Sequence, residues 1–275
     1  MRADTTGKIC LDDIYTRPDP RAYFSTLREL DYHIPELAKP HFRALIEEYR
    51  AATGVRNPTV LDIGCSYGIN AALLKCDATM DELYERYGGP EADGMSIAGL
   101  LERDRDLVRS RGGAAGGSGG VRFIGLDSSR PALEYAAGAG FVDGAVHADL
   151  EENEPTAAQR ERLAAADLVI STGCVGYVTE RTLGRIVDAA PPGRRPWMAH
   201  FVLRMFPFDP VEKALDAAGY ETVHSAETFR QRRFATAGEQ AQVLETLSAA
   251  GVDPDGPERD GWLSARLHVS RPAAR

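Results

Sequence analysis

The sequence predicts an α/β fold in which helices cover both faces of a parallel sheet. From residue 59 onward, short apolar runs typical of buried strands alternate with helical patterns, and a parallel sheet requires this order. In addition, a glycine turn from Gly64 to Gly68 joins the first apolar run directly to a helix-forming stretch at 71–74. A strand, a glycine turn and a helix in succession leave bare backbone at the carboxyl edge of a sheet, where a ligand can approach closely.

The first 55 residues predict a helical cap ahead of the sheet. Apolar residues recur at helical spacing in 23–30 and again in 42–49. Pro35 separates the two patterns, because a proline disfavours helix at the residue before it. We therefore expect residues 1–55 to form an N-terminal helical cap and residues 56–275 to form the domain that contains the sheet.

The strand candidates are short apolar runs bounded by turn or helix signals. They lie at 60–63, 123–126, 145–147, 168–171, 197–203, 221–225 and 262–269. Helix signals occur between them: Thr179 and Asp209 are placed as N-caps, and Gly219 can end the helix that Asp209 begins.

An insertion at 75–120 separates the first two strands by about 50 residues, more than a simple crossover needs. We expect helices at 80–87 and 96–109 within it and interpret it as a surface excursion. The glycine-rich run at 112–120 is typical of a flexible linker. No lysine or capped helix follows that run, so it does not fit a phosphate loop.

Composition favours a soluble protein of the cytoplasm with a small-molecule ligand. The net charge of −9 argues against a nucleic-acid partner. No apolar h-region follows Met1, so we expect no signal peptide, and no stretch approaches the ~20 apolar residues of a membrane span. The four cysteines, Cys10, Cys65, Cys76 and Cys174, have neither CxxC nor zinc spacing, so we expect a reducing compartment and no metal. Neither charge nor cysteine content indicates an oligomeric state.

Acidic residues stand in or just beyond the first three candidate strands. Asp62 lies in the first, Asp127 ends the second, and Asp149 with Leu150 follows the third. The carboxyl ends of parallel strands meet at one edge, so these residues can surround one nucleoside. Asp127 can accept hydrogen bonds from both ribose hydroxyls, and Asp149–Leu150 suit an adenine edge and face. The turn reads Asp-x-Gly-x-Ser-x-Gly, which differs from the Gly-x-Gly-x-x-Gly of dinucleotide enzymes.

Together with Asp127 and Asp149–Leu150, the segment 60–68 resembles the class I S-adenosylmethionine (SAM)-dependent methyltransferases. The resemblance covers residues 59–205. It implies a Rossmann-like sheet of seven strands, mostly parallel with the last strand antiparallel, and SAM bound across the carboxyl ends of the early strands. The turn departs from the family pattern, since Ser66 replaces a common glycine and bulky Tyr67 stands beside it. This departure indicates an altered site near the sulfonium.

The resemblance also implies a set of cofactor contacts. Residues of the glycine turn would line the methionine part of SAM, Asp127 would hold the ribose, and Asp149 and Leu150 would hold the adenine. The complete set of expected cofactor-binding residues is Asp62, Gly64, Ser66, Tyr67, Gly68, Asn70, Asp127, Ser128, Asp149, Leu150, Thr172 and Gly173.

Three residues, Tyr67, Tyr177 and His200, are candidates for a catalytic role. His200 stands in an apolar strand, so it is either a core histidine or a base. Tyr177 follows a bend beyond the fourth strand, where a structural tyrosine and one that contacts substrate are both reasonable. Cys65 and Cys174 fit small buried residues better than nucleophiles.

The resemblance allows three functions. The first is methyl transfer from SAM to a small-molecule acceptor, as in secondary metabolism, because a short cap without a further domain suits a small acceptor. The second is cyclisation of SAM to azetidine-2-carboxylate and methylthioadenosine. Aromatic faces of Tyr67 and Tyr177 would attract the sulfonium by ~0.5–2 kcal/mol, and the segments 19–24 and 64–70 resemble the azetidine-2-carboxylate synthases. The third is a SAM-binding protein without catalysis.

Overall fold

The computed structural model describes residues 12–112 and 119–273. Cys10 and most of the glycine-rich run, predicted above to be a linker, lie outside these ranges. The strands are β1 Thr59–Ile63, β2 Arg122–Asp127, β3 Gly144–His147, β4 Leu168–Thr172, β5 Trp197–Leu203, β6 Tyr220–Arg233 and β7 Trp262–Pro272.

The strands form one seven-stranded sheet in the order β3-β2-β1-β4-β5-β7-β6. The first five strands pair in parallel, whereas β7 runs antiparallel to both of its neighbours, β5 and β6. This arrangement confirms the predicted α/β fold with an antiparallel last strand. The direction of strand addition reverses between β1 and β4, and in such sheets the ligand crevice opens at that point.

The helices are α1 Asp12–Tyr15, α2 Arg21–Glu29, α3 Ile34–Thr53, α4 Ile69–Cys76, α5 Met80–Gly88, α6 Pro90–Asp93, α7 Ile97–Arg111, α8 Arg130–Ala139, α9 Ala157–Leu163, α10 Glu180–Ala189, α11 Asp209–Ala217 and α12 Ala237–Ala249. They cover both faces of the sheet. Alternate strand residues point to opposite faces, and accordingly Val60 packs with α2–α5, α7 and α8, whereas Leu61 and Ile63 pack with α9–α11. No helix in the described ranges is long and apolar enough to span a membrane.

Two helix starts test the predicted caps. The hydroxyl of Thr179 caps α10 as expected, accepting a hydrogen bond from the Arg181 N–H. The prediction for Asp209 is wrong by one residue: α11 begins at Asp209 itself, and Phe208 occupies the N-cap position without a side-chain bond. Pro35 falls in the first turn of α3, where a missing N–H is tolerated.

The interpretation of the insertion 75–120 as a surface excursion is wrong. Its helices α5 and α7 occur as predicted, but they contribute buried side chains to the main core. The Asp104 carboxylate, fully buried, accepts hydrogen bonds from the phenols of Tyr87 and Tyr135, both at 2.6 Å, and from Arg86 Nε at 2.8 Å. The apolar faces of the two helices need a partner, and α2, α4 and α8 supply it.

Candidate functional site

The glycine turn between β1 and α4 is held in place by Asp127. One Asp127 oxygen accepts the Ser66 N–H at 2.8 Å, and the other accepts the Ser129 N–H at 2.8 Å. Burial raises the pKa of Asp127, and these backbone donors lower it. Ser66 has φ +49°, a left-handed conformation that costs a non-glycine residue about 1–2 kcal/mol. The hydrogen bond to Asp127 therefore stabilises a strained turn.

Two cavities open at the carboxyl edge of the sheet. The larger has a volume of about 710 Å³ and lies between the glycine turn and the N-terminal cap. The smaller, about 380 Å³, extends toward the residues that follow β3. Both are lined by Gly64, Asp127, Ser128, Cys174 and Tyr177, so they adjoin one another.

The structure brings most of the predicted site residues to these cavities. The larger is lined by Gly64, Ser66, Asn70, Asp127, Ser128, Thr172, Gly173 and Tyr177, and the smaller also by Asp149 and Leu150. Asp149 is exposed, and one of its oxygens accepts the N–H groups of Glu151 and Glu152 at 3.0 and 3.2 Å. These bonds fix the orientation of its carboxylate beside the buried Leu150 side chain.

Asp62 lies behind the cavity wall. Its carboxylate is fully buried and accepts a hydrogen bond at 3.0 Å from Asn70 Nδ2, which also contacts Thr172 Oγ1 at 3.2 Å. Burial raises the pKa of Asp62 to about 7, against the opposing effect of the Asn70 bond. Asp62 therefore orients Asn70, and the amide of Asn70 lines the cavity.

Tyr67 does not line either cavity, which contradicts the expectation that its ring faces a ligand. Its side chain is 1% exposed, and the phenol oxygen lies 2.9 Å from the backbone carbonyls of Ile14 and Arg17. Between these two carbonyls are Tyr15 and Thr16, which do line the larger cavity. Tyr67 thus fastens the start of the cap to the glycine turn.

His200 and Gly68 are also absent from the cavity walls. His200 is fully buried, its Nδ1 lies 2.8 Å from Ser171 Oγ, and burial lowers its pKa to about 3. A neutral imidazole in the core fits the structural interpretation rather than a base. Gly68 has φ +79°, and an added Cβ would lie 3.1 Å from the Ala136 side chain. The positive φ and the close packing therefore explain why a glycine occupies position 68.

Two groups of residues in the wall of the larger cavity were not predicted from the sequence. The cap contributes Tyr15, Thr16, Tyr23, Leu27, Tyr32 and Pro35, and β6 contributes Gln231 and Arg232. Helical spacing marked Tyr23 and Leu27 only as core positions. Burial raises the pKa of Tyr32, so its phenol stays neutral. Nothing in the local pattern marked Gln231.

Several buried polar atoms at this site lack a partner among the described residues. Ser66 Oγ, Asn70 Oδ1 and Gln231 Oε1 belong to residues that line the larger cavity. The one cation in its described lining, Arg232, is paired with Glu239 by bonds of 2.6 and 3.1 Å. Buried acceptors require donors, so the cavity suits a ligand that carries N–H or O–H groups and a positive charge.

The surroundings of the two cysteines at the site disfavour their thiolate form. Burial raises the pKa of the Cys65 thiol and raises that of Cys174 to about 12. The thiolate is the nucleophilic form of cysteine, so these shifts argue against a nucleophilic role. Within the described ranges, no cluster of histidine, cysteine or acidic residues could hold a metal ion.

Comparisons with known proteins give matches among solved structures, at low identity. No protein-family model and no curated protein matches the chain. Among solved structures, the plantazolicin methyltransferase BpumL in complex with monoazolic desmethylPZN analog and SAH is 12% identical, with coverage of 93% of this chain and 91% of that chain and a TM-score of 0.46. A putative sarcosine dimethylglycine methyltransferase from Galdieria sulphuraria is 14% identical, with coverages of 86% and 88% and a TM-score of 0.42. The cyclase SpnF is 15% identical, with coverages of 84% and 81% and a TM-score of 0.37.

Proposed function

We propose that this protein is an enzyme that uses SAM and acts on a small molecule. The observation that carries the proposal is the convergence of the glycine turn, Asp127 and Asp149–Leu150 on two adjoining cavities at one edge of the sheet. This edge lies at the reversal of strand order, where sheets of this kind bind nucleotides.

The residues present fit SAM. Asp127 and Ser128 would hold the ribose, and Asp149 with Leu150 would hold the adenine. Gly64, Ser66 and Asn70 would line the methionine part, and the unpartnered oxygens of Ser66 and Asn70 match its need for hydrogen-bond acceptors. When bound, SAM supplies a carbon activated by the adjacent sulfonium.

Methyl transfer to a small-molecule acceptor is the reaction that we favour. The cap residues Tyr23, Leu27 and Tyr32 close the larger cavity, so they can align an acceptor and exclude water. Its described lining contains neither histidine nor lysine. This lining suits an acceptor whose nucleophilic atom carries no proton that a base must remove.

Cyclisation of SAM is a second candidate, because aromatic residues surround the same cavity. Tyr15, Tyr23, Tyr32 and Tyr177 all line it, and a cation over an aromatic face is attracted by ~0.5–2 kcal/mol. Tyr15, Tyr23 and Tyr32 of the cap would make the aromatic contact with the sulfonium that the sequence suggested for Tyr67. A closed aromatic chamber would suit a reaction that needs no second substrate.

Chromatography of the products separates these functions. The protein is incubated with SAM alone and with SAM plus a panel of amine, thiol and hydroxyl acceptors, beside a control without enzyme. S-adenosylhomocysteine that forms only with an acceptor supports methyl transfer, and methylthioadenosine formed from SAM alone above the control supports cyclisation. Tight SAM binding without turnover would indicate a non-catalytic protein. Absence of SAM binding would refute the proposal.

A further inference from the structure

An irregularity in β6 sets the direction of the Gln231 side chain. The pairing of β6 with β7 shifts register between Arg230 and Arg232, so Gln231 stands at a bulge. A bulge re-aims the side chain of the residue it contains. Both sides of the bulge are fixed: the Gln231 carbonyl accepts the His33 N–H at 3.1 Å, and Arg232 pairs with Glu239. The direction of the Gln231 side chain is thereby set by the fold.

The Gln231 amide packs on the backbone that follows β4. A Cβ added to Gly173, which has φ +75°, would lie 2.6 Å from Gln231 Nε2. Only glycine allows this approach. Gly173 follows β4, the sheet neighbour of β1, and adjacent strands lie about 4.8 Å apart. The amide therefore stands beside the glycine turn, within the wall of the larger cavity.

The oxygen of this amide has no hydrogen-bond partner. Gln231 is 3% exposed, and its Oε1 is buried and unpartnered in the described part of the chain. A buried polar atom without a partner is strongly unfavourable. Asn70 lines the same cavity, and its Oδ1 is likewise buried without a partner among the described residues. Two unpartnered carbonyl oxygens at one cavity suit a donor with several N–H bonds, and an ammonium group is such a donor.

We infer that Gln231, together with Asn70, binds the α-ammonium group of SAM. The inference rests on the proposed function and names a contact within that site. It concerns binding, so it holds for methyl transfer and for cyclisation alike. An amide can also donate to a carboxylate, and the two cases differ in their response to a negative charge at position 231.

The test compares two ligands that differ in the amino-acid chain. Calorimetry measures the affinity of S-adenosylhomocysteine, which carries the chain, and of methylthioadenosine, which lacks it. In Gln231→Leu we expect S-adenosylhomocysteine to bind roughly 10- to 100-fold more weakly, the usual loss for a hydrogen bond to a charged group, with methylthioadenosine unchanged. Gln231→Glu should retain or strengthen binding of S-adenosylhomocysteine, because a carboxylate accepts from an ammonium more strongly.

The control variant is Gln240→Leu. Its amide contacts the Glu258 carbonyl at 2.8 Å, away from the cavity lining, and its loss should change neither affinity. Equal losses for both ligands in Gln231→Leu would overturn the inference. A greater loss in Gln231→Glu than in Gln231→Leu would also overturn it, because that result indicates that position 231 contacts the carboxylate of the ligand. Unchanged binding of both ligands in Gln231→Leu, together with a raised KM for an amine acceptor, would overturn it as well. Wild-type protein that binds neither nucleoside would refute the proposed function itself.

Discussion

Replacing Tyr67 by phenylalanine removes one oxygen atom and distinguishes two accounts of this residue. If the ring contacts a bound sulfonium, as the sequence suggested, phenylalanine keeps that contact and the affinity for S-adenosylhomocysteine stays unchanged. In the structure, the phenol lies 2.9 Å from the carbonyls of Ile14 and Arg17 and is their hydrogen-bond donor. Tyr67→Phe removes this hydrogen bond, so it should destabilise the packing of the segment that carries Tyr15 and Thr16.

The magnitude follows from the hydrogen bond that is lost. A buried neutral hydrogen bond contributes about 0.5–1.5 kcal/mol net, and a carbonyl left without its donor adds to the loss. We expect the free energy of local opening to fall by about 1–2 kcal/mol, a factor of about 5–30 in the open population. Hydrogen exchange of peptides that cover residues 12–24 should accelerate by this factor. Affinity for S-adenosylhomocysteine should fall less, since residues 14–17 contribute only Tyr15 and Thr16 to the cavity wall.

Tyr49→Phe is the matched control. Its phenol, also buried, donates at 2.8 Å to Oδ1 of Asp167, a residue outside the segment 12–24. This variant should lower the free energy of global unfolding without selective exchange in 12–24. Wild-type exchange of that segment in Tyr67→Phe would refute the account of Tyr67 as a fastening residue. Unchanged exchange together with unchanged affinity for S-adenosylhomocysteine would restore the account in which the ring contacts the sulfonium.

Three further variants test other parts of the site. Asp127→Asn should weaken S-adenosylhomocysteine binding roughly 10- to 100-fold in calorimetry, because a charged acceptor is lost; unchanged affinity would remove Asp127 from the ribose site. Since burial raises the folded-state pKa of Asp62 to about 7, its contribution to stability is complete below the unfolded pKa of about 4 and is lost as pH rises to 7, by up to about 1.4 kcal/mol per unit. The free energy of unfolding of Asp62→Asn, measured with urea at several pH values, should lack this part of the pH dependence. The same dependence on pH in the variant and in the wild type would contradict the raised pKa of Asp62. His200→Gln should lower Tm but change kcat by no more than about twofold between pH 5 and 8, since His200 lies outside the cavity and acts through stability alone; an altered pH–rate profile would revive it as a base.

The sequence predicted those features of the site that depend on neighbouring residues. Asp127 and Asp149 each follow an apolar run, so their place at the carboxyl edge follows from strand direction alone. The glycine turn is equally local, because it joins β1 to α4 within a few residues. The helices of the insertion were also predictable from their local sequence pattern, but the elements that they pack against in the core were not.

Features set by distant contacts were not predictable in this way. The candidate strand at 221–225 extends to Tyr220–Arg233 in the structure, because pairing with β7 supplies backbone hydrogen bonds to a largely polar segment. The bulge that aims Gln231 depends on this pairing. Tyr67 follows a strained turn, and its direction depends on residues 14–17, which lie some fifty positions earlier.

Hydrogen bonds join the N-terminal cap to the carboxyl edge of the sheet at the larger cavity. Ser129 Oγ donates to the Tyr15 carbonyl at 2.6 Å, and the Tyr67 phenol lies 2.9 Å from the Ile14 and Arg17 carbonyls. These contacts hold the segment 14–17, whose residues Tyr15 and Thr16 line the cavity. The position of the cap is therefore coupled to the glycine turn and to the residues that follow β2, so the aromatic side chains of the cap are an integral part of the cavity wall.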